Sequence, residues 1–319
     1  MKWRILVTCP PMLLTLKECQ ARFRLEGLDV VAPKVLQQLT EQELCAMVSD
    51  FDGVIAGDDP FTAKVLETGR RGKLRVLAKW GVGVDAIDRE AAKKLGISVS
   101  NTPGVFNDEV ADVALGYLLL LARQLHKMDA AVRRGEWLKI PGVSLRGKTA
   151  GIIGVGGIGQ AVARRFLAVG MNLVGYDLRP IGKDVCEEIG LEQLKLDDLL
   201  KRADCIVLAC NLTRENRHLL NAEAFAKMKK GVWIINVARG ALIDQKALLA
   251  ALEARRVERA ALDVFEEEPL PLGHPLSQFE HVILGTHNSS NTKEAVLKVN
   301  QLAIDNLVRD LNQSAKENK

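Results

Sequence analysis

Short aliphatic runs recur along the chain, near residues 4–8, 28–32, 53–56, 75–79 and 97–99, and again near 149–153, 172–176, 205–209, 232–236, 259–262 and 282–284. Unbroken apolar runs of this length fit strands buried on both faces. Between them lie segments with apolar residues at helical spacing, for example Thr40 to Val48 and Thr62 to Thr68. Such alternation predicts βαβ units and parallel sheets covered by helices. One longer helical segment, about 107–134, separates the two sets of strands, so two sheets are expected. Its apolar run, Val113 to Ala122, is too short to span a bilayer. Asn107-Asp108-Glu109 ahead of it and Arg123 behind it are helix start and stop chemistry. Thr292 to Leu311 forms a last helical pattern, followed by a polar tail, Asn312 to Lys319, expected to fray.

Composition narrows the class. The chain has 319 residues, enough for two domains, and 48% hydrophobic residues but only 4% aromatic ones, so the cores are aliphatic. With 44 basic and 40 acidic residues interleaved, there is no basic stripe of the kind that binds nucleic acid. Six cysteines (Cys9, Cys19, Cys45, Cys186, Cys205, Cys210) show no metal-ligand spacing and read as reduced, buried residues of a cytoplasmic protein. Met1-Lys2-Trp3-Arg4 ahead of an apolar run has the look of a leader. Pro10-Pro11 interrupts that run, and a first strand is the better reading.

The strongest chemical signal is Gly154-Val155-Gly156-Gly157-Ile158-Gly159. It reads G-x-G-x-x-G, follows a strand pattern and opens a helical one. A second strand pattern then ends in Asp177, 18 residues beyond Gly159. This is the dinucleotide-binding fingerprint. Gly154 permits a tight turn, and Gly156 lets backbone N–H groups approach a pyrophosphate. Gly159 lets helix and strand pack closely, with the positive helix N-terminus at the phosphates. Asp177 is placed to accept hydrogen bonds from ribose hydroxyls and to repel a 2′-phosphate. NAD is therefore the expected cofactor.

Three further clusters sit where strands end. Lys79-Trp80-Gly81-Val82-Gly83-Val84-Asp85 carries glycines whose backbone N–H groups can hold an anion. Asn236-Val237-Ala238-Arg239-Gly240 places a guanidinium suited to gripping a carboxylate. Asp263-Val264-Phe265-Glu266-Glu267-Glu268-Pro269 and Gly285-Thr286-His287-Asn288 together offer a Glu–His pair. A carboxylate there would orient the imidazole and stabilise its protonated form, a general acid/base device.

These motifs, with Asn101-Thr102-Pro103-Gly104 and Ala261-Leu262-Asp263, resemble the NAD-dependent D-2-hydroxyacid dehydrogenases, the family that includes 3-phosphoglycerate dehydrogenase and glyoxylate/hydroxypyruvate reductase. The resemblance runs from Gly53 to about Leu311. It implies an α/β protein with a flavodoxin-like substrate domain, residues 1–100 and 289–319, and an inserted NAD-binding Rossmann domain, residues 101–288. It assigns catalysis to Arg239, Glu268 and His287. Substrate contacts fall to Val82, Gly83, Arg239 and Lys79. The cofactor would be lined by Gly154, Gly156, Gly157, Ile158, Gly159, Asp177, Asn211, Ala238, Asp263, Val110 and Ser290. The implied partners are a small 2-hydroxy or 2-keto acid and a second copy of the chain, with no metal, nucleic acid or membrane. Thr286 and Asn211 stand where relatives usually have proline, and little sequence follows the last helix, leaving no room for the regulatory domain of many phosphoglycerate dehydrogenases. Two rival readings are an NAD(H)-sensing corepressor-like protein on the same fold and an S-adenosylhomocysteine hydrolase-like enzyme, for which the chain looks too short.

Overall fold

The structure is a computed structural model that describes residues 3–317. The first two residues of the leader-like stretch and the last two of the polar tail lie outside the described residues. The chain divides into two compact units, one running up to Val105 and resuming at Asn291, the other Phe106–Ser290. The first boundary lies beyond residue 100 because Asn101 and Thr102 are hydrogen-bonded to Gly81 and Val82 of the first unit.

The first unit is built on five parallel strands: β1 (Trp3–Val7), β2 (Leu28–Val31), β3 (Gly53–Ala56), β4 (Val76–Lys79) and β5 (Ser98–Ser100). Their order is β2-β1-β3-β4-β5, the flavodoxin-like winding. Every residue of β3 and β4 is buried, which is why those strands read as continuous runs. Thr40 and Thr62 are helix caps rather than helical residues, Thr40 through a capping box with Glu43. The last helix, Lys293–Glu317, belongs to this unit, and Gly53 leaves the space that Leu307 fills against β3. The polar stretch expected to fray continues this helix as far as Glu317. A Gln313–Glu317 side-chain bond at 3.1 Å supports its last turn.

The second unit carries seven parallel strands: β6 (Thr149–Ile153), β7 (Asn172–Tyr176), β8 (Leu191–Gln193), β9 (Cys205–Leu208), β10 (Val232–Asn236), β11 (Val257–Leu262) and β12 (Val282–Leu284). The order β12-β11-β10-β9-β6-β7-β8 is the Rossmann winding, reversing between β6 and β9. Strand β8 has no signature in the sequence because it is a three-residue edge strand with two exposed polar residues. The long helical segment is two helices, Asn107–Arg123 and Leu125–Arg133, broken at Gln124, whose φ of 52° is left-handed. Within the apolar run of the first, Ala114, Leu118, Leu121 and Ala122 are buried, while Val113, Leu115, Leu119 and Leu120 are only half-buried. Arg165 ties this helix to Gly157–Ala168 through Asp108 at 3.0 Å and Asp112 at 2.6 Å. Among the described residues no helix is long and apolar enough to cross a membrane.

Candidate active site

The glycine loop follows β6 in the second unit. Gly154 has φ +91°, and a Cβ there would lie 2.5 Å from the Cys210 backbone, so only glycine fits. A Cβ on Gly159 would overlap the Gly154 carbonyl, so the helix Gly157–Ala168 begins in direct contact with the turn. Gly156 and Gly157 are exposed, and a Cβ on Gly156 would meet nothing within 4 Å. Its N-cap position has no side-chain acceptor. The first N–H groups of the helix are therefore left for an outside anion. Asp177, at the end of β7, accepts the Val155 N–H at 2.8 Å and the Arg179 N–H at 3.2 Å. This donor set fits a dinucleotide: N–H groups and a helix dipole for the pyrophosphate, a carboxylate for the ribose. Cys210 lines the turn, and burial pushes its thiol up to about 11. Of the other residues assigned to the cofactor, Val110 is buried, Ile158, Ala238 and Ser290 are half-buried, and Asn211 is exposed, its carbonyl accepting from Asn216.

At the end of β11, Asp263 is buried. One carboxylate oxygen accepts the Tyr117 hydroxyl at 3.0 Å, and the other accepts the Ser289 N–H at 2.9 Å and the Ser289 hydroxyl. Burial and this carboxylate push the Tyr117 phenol well above its ordinary range, so Tyr117 remains a donor. Neither Tyr117 nor Ser289 was visible as a site residue. One lies inside an apolar helical run and the other in a serine pair without a motif. Next to β11, Asn236 closes the end of β10: its amide donates to the Arg239 carbonyl at 2.9 Å and accepts the Ala238 N–H at 3.1 Å. That loop presents Arg239, half-buried, with Nη1 donating to the Ala238 carbonyl at 2.9 Å.

His287 follows β12 with φ 52°, a left-handed conformation for a non-glycine residue. Its N–H donates to the Asp263 carbonyl at 2.7 Å. Its Nδ1 lies 2.7 Å from Oε2 of Glu268, and the other Glu268 oxygen accepts the Phe265 N–H at 2.9 Å. An ionised carboxylate only accepts, so Nδ1 carries the proton and Nε2 is the atom that exchanges one. The acidic triplet is thereby sorted. Glu268 holds His287, while Glu266 holds His218 at 2.5 Å.

The other glycine cluster lies in the first unit, after β4. Gly81 has φ +122°, open only to glycine. Among the described residues, neither the Val82 nor the Gly83 N–H has an acceptor in the protein. Lys79 is buried, and its ammonium donates to Asp58 Oδ1 and to the Trp80 carbonyl, both at 3.0 Å.

The second unit thus combines a doubly wound nucleotide fold with a His–Glu pair and a strand-end arginine. The family description "D-isomer specific 2-hydroxyacid dehydrogenase, NAD binding domain" matches residues 115–289. The D-3-phosphoglycerate dehydrogenase of Methanocaldococcus jannaschii is 41% identical over 91% of this chain, which spans only 55% of that protein's length. The hydroxypyruvate reductase of Thermotoga maritima is 37% identical over 86% of this chain and 90% of its own. A crystal structure of a Thermus thermophilus protein superposes with a TM-score of 0.84 at 35% identity, covering 97% of both chains. The chain belongs to the D-2-hydroxyacid dehydrogenase family, NAD-dependent oxidoreductases acting on the CH–OH group of 2-hydroxy acids.

Proposed function

We propose that this chain interconverts a short, unphosphorylated D-2-hydroxy acid and its 2-keto acid, with hydroxypyruvate and glyoxylate as the leading keto acids. The observation that carries this reading is the His287–Glu268 pair at 2.7 Å, in the same unit as a glycine loop fit for a dinucleotide. The nicotinamide supplies the hydride-exchanging carbon. His287 Nε2 gives a proton to the keto oxygen in reduction and takes it from the hydroxyl in oxidation. Glu268 holds the imidazolium in place. Arg239 binds the carboxylate and keto oxygen, and the Val82 and Gly83 N–H groups bind the carboxylate. Asp263, fixed by Tyr117 and Ser289, is the acceptor for the nicotinamide carboxamide. Residues up to Val105 and from Asn291 serve the substrate, and Phe106–Ser290 serve the cofactor.

Charge in the loop after β3 bears on the substrate's far end. The loop after β3, Gly57-Asp58-Asp59, holds two acids, and phosphoglycerate dehydrogenases usually place an arginine there. Lys79 is already paired with Asp58, and the fully buried Asp59 lies nearby. Burial pushes the Asp59 carboxyl above its ordinary range. Thr8 and the Leu39 and Gly57 N–H groups oppose that shift. With Lys79 neutralised by Asp58, a phosphate at this loop would meet no net positive charge, and like-charge repulsion strengthens at low dielectric. Steady-state NADH oxidation is expected to give hydroxypyruvate a kcat/KM at least about tenfold above that for 3-phosphohydroxypyruvate, equivalent to ~1.4 kcal/mol. The reverse preference, lost in Lys79→Ala, would make Lys79 a phosphate anchor and overturn this assignment. No turnover with any 2-keto acid would favour an NAD(H)-sensing binding protein instead.

We further infer a cytoplasmic homodimer. Its six cysteines are free, as a reducing compartment keeps them, although only Cys9, Cys19 and Cys205 are buried. Leu125, Val132, Trp137 and Leu138 are large apolar residues about half exposed or more within one short stretch, and Trp137 is 83% exposed. A second copy covering this stretch by two-fold symmetry accounts for it. Light scattering at micromolar concentration is expected to give twice the 35.0 kDa chain mass. A monomer there would count against it.

A further inference from the structure

The loop Gly81-Val82-Gly83 is held in an unusual way: its carbonyls are gripped from behind, and two of its N–H groups are left open. The Gly81 carbonyl accepts the Thr102 N–H at 3.0 Å. The Val82 carbonyl accepts the Asn101 side-chain amide at 2.7 Å. In a trans peptide the carbonyl and the next residue's N–H lie in one plane and point in opposite directions. Holding the Gly81 carbonyl therefore fixes the direction of the Val82 N–H, and holding the Val82 carbonyl fixes that of Gly83. These are the two N–H groups that have no acceptor among the described residues. The Gly81 N–H is also taken, donating to Thr102 Oγ1 at 2.9 Å. Three successive peptides are thus set by two adjacent residues.

The grip is itself supported. Asn306, on the last helix, donates to the Asn101 carbonyl at 3.0 Å, and its own Oδ1 accepts Arg309 at 2.7 Å. Six residues earlier on that helix, buried Asn300 accepts the Trp80 indole N–H at 2.7 Å and donates to Thr15 at 2.9 Å. The residue just before the loop is pinned from the same helix that supports its clasp.

We propose that Asn101 is a positioning residue for substrate binding: it aims the Gly83 N–H at the substrate carboxylate, with Thr102 doing the same for Val82 and Asn306 holding Asn101 in register. This rests on the reading that the loop binds the carboxylate. Preorganised donors avoid reorganisation when the anion arrives, and two consecutive N–H groups form an anion nest. The contribution is to binding rather than to chemistry, so it is read in KM with kcat nearly unchanged.

The test compares Asn101→Ala, Asn306→Ala and Gly83→Pro in the full chain, using hydroxypyruvate and its methyl ester. NADH affinity by fluorescence and Tm serve as controls. Gly83→Pro deletes one N–H outright. Asn101→Ala is expected to raise KM for the acid about tenfold, the scale of a loosened charge-assisted hydrogen bond. The rise for the ester, which lacks the carboxylate, stays below about threefold. Asn306→Ala shows the same selectivity with a smaller rise. Equal rises for acid and ester would mean a merely structural role and overturn the proposal. An unchanged KM in Asn101→Ala beside a raised one in Gly83→Pro would overturn it while leaving the loop's function standing. An unchanged KM in both would remove the loop from substrate binding and the proposal with it. Were Asn101→Ala to fold poorly, the acid-to-ester ratio in Asn306→Ala decides between the same outcomes.

Discussion

His287→Ala is expected to lower turnover by about 10²–10⁴-fold, the usual contribution of a general acid–base group. NADH affinity should stay within about twofold. The imidazole is the proton-exchanging group in this reading, whereas its backbone N–H, which holds the Asp263 carbonyl, survives the substitution. The left-handed φ of 52° at this position costs any residue with a Cβ ~1–2 kcal/mol, and histidine tolerates it better than alanine, so a loss of activity through local unfolding has to be separated. His287→Asn does so, because asparagine adopts that conformation readily. Both variants should lose activity alike. Glu268→Gln is the companion. It keeps the side chain's shape and removes the charge that stabilises the imidazolium. The ring then loses its proton at lower pH, so the rate of keto-acid reduction should begin its alkaline decline at lower pH than in the unmodified enzyme. Near-normal turnover in both His287 variants, or an unchanged pH–rate profile in Glu268→Gln, would remove the pair from the mechanism.

The sequence is most legible where one residue type answers one physical demand. The glycine fingerprint could be read residue by residue because each glycine solves a different steric problem. Gly154 needs a positive φ, Gly156 faces open space and Gly159 touches backbone. Buried parallel strands were legible because both faces are apolar. β8 was not, because an edge strand of Leu191, Glu192 and Gln193 has neither length nor pattern. The break at Gln124 was hidden because a single left-handed residue leaves helical periodicity intact on either side. Side-chain pairings show the same division. The carboxylate beside His287 could be named only through family resemblance, since three adjacent glutamates are equivalent in composition. Geometry distinguishes them by giving Glu266 to His218 and Glu268 to His287. Tyr117, Ser289 and the Asn101 clasp act through partners up to 205 residues away in the chain, as for Asn101 and Asn306, and no local pattern records such pairings.

Gly240→Ala is expected to damage stability and catalysis together, through one added methyl group. Gly240 is buried directly after Arg239. A Cβ there would fall inside the van der Waals shell of the Phe265 carbonyl and 2.5 Å from the Glu266 N–H nitrogen. Both neighbours are backbone, so no flexible side chain can yield, and one of the two loops must move. The cost is about 3 kcal/mol, the upper end of overpacking penalties. For a unit of this size that corresponds to a fall in Tm of about 6–12 °C. The displaced segment includes the Phe265 N–H, which holds Glu268, and Glu268 in turn holds His287. On the other side the movement reaches Arg239, whose carbonyl is fixed by Asn236. Misplacing reactive groups by about 1 Å costs on the order of 10²-fold. kcat/KM is therefore expected to fall by at least that factor at temperatures where the variant is folded. Gly116→Ala is the control. It lies within the helix Asn107–Arg123, and its Cβ would meet nothing within 4 Å. That change should be neutral or stabilise by ~0.5–1 kcal/mol, as alanine for glycine does inside a helix. Thermal denaturation and steady-state kinetics on the two variants decide the matter. A Gly240→Ala protein with unchanged Tm and kcat/KM would mean that the Arg239 loop and the acidic loop are not packed backbone against backbone as described.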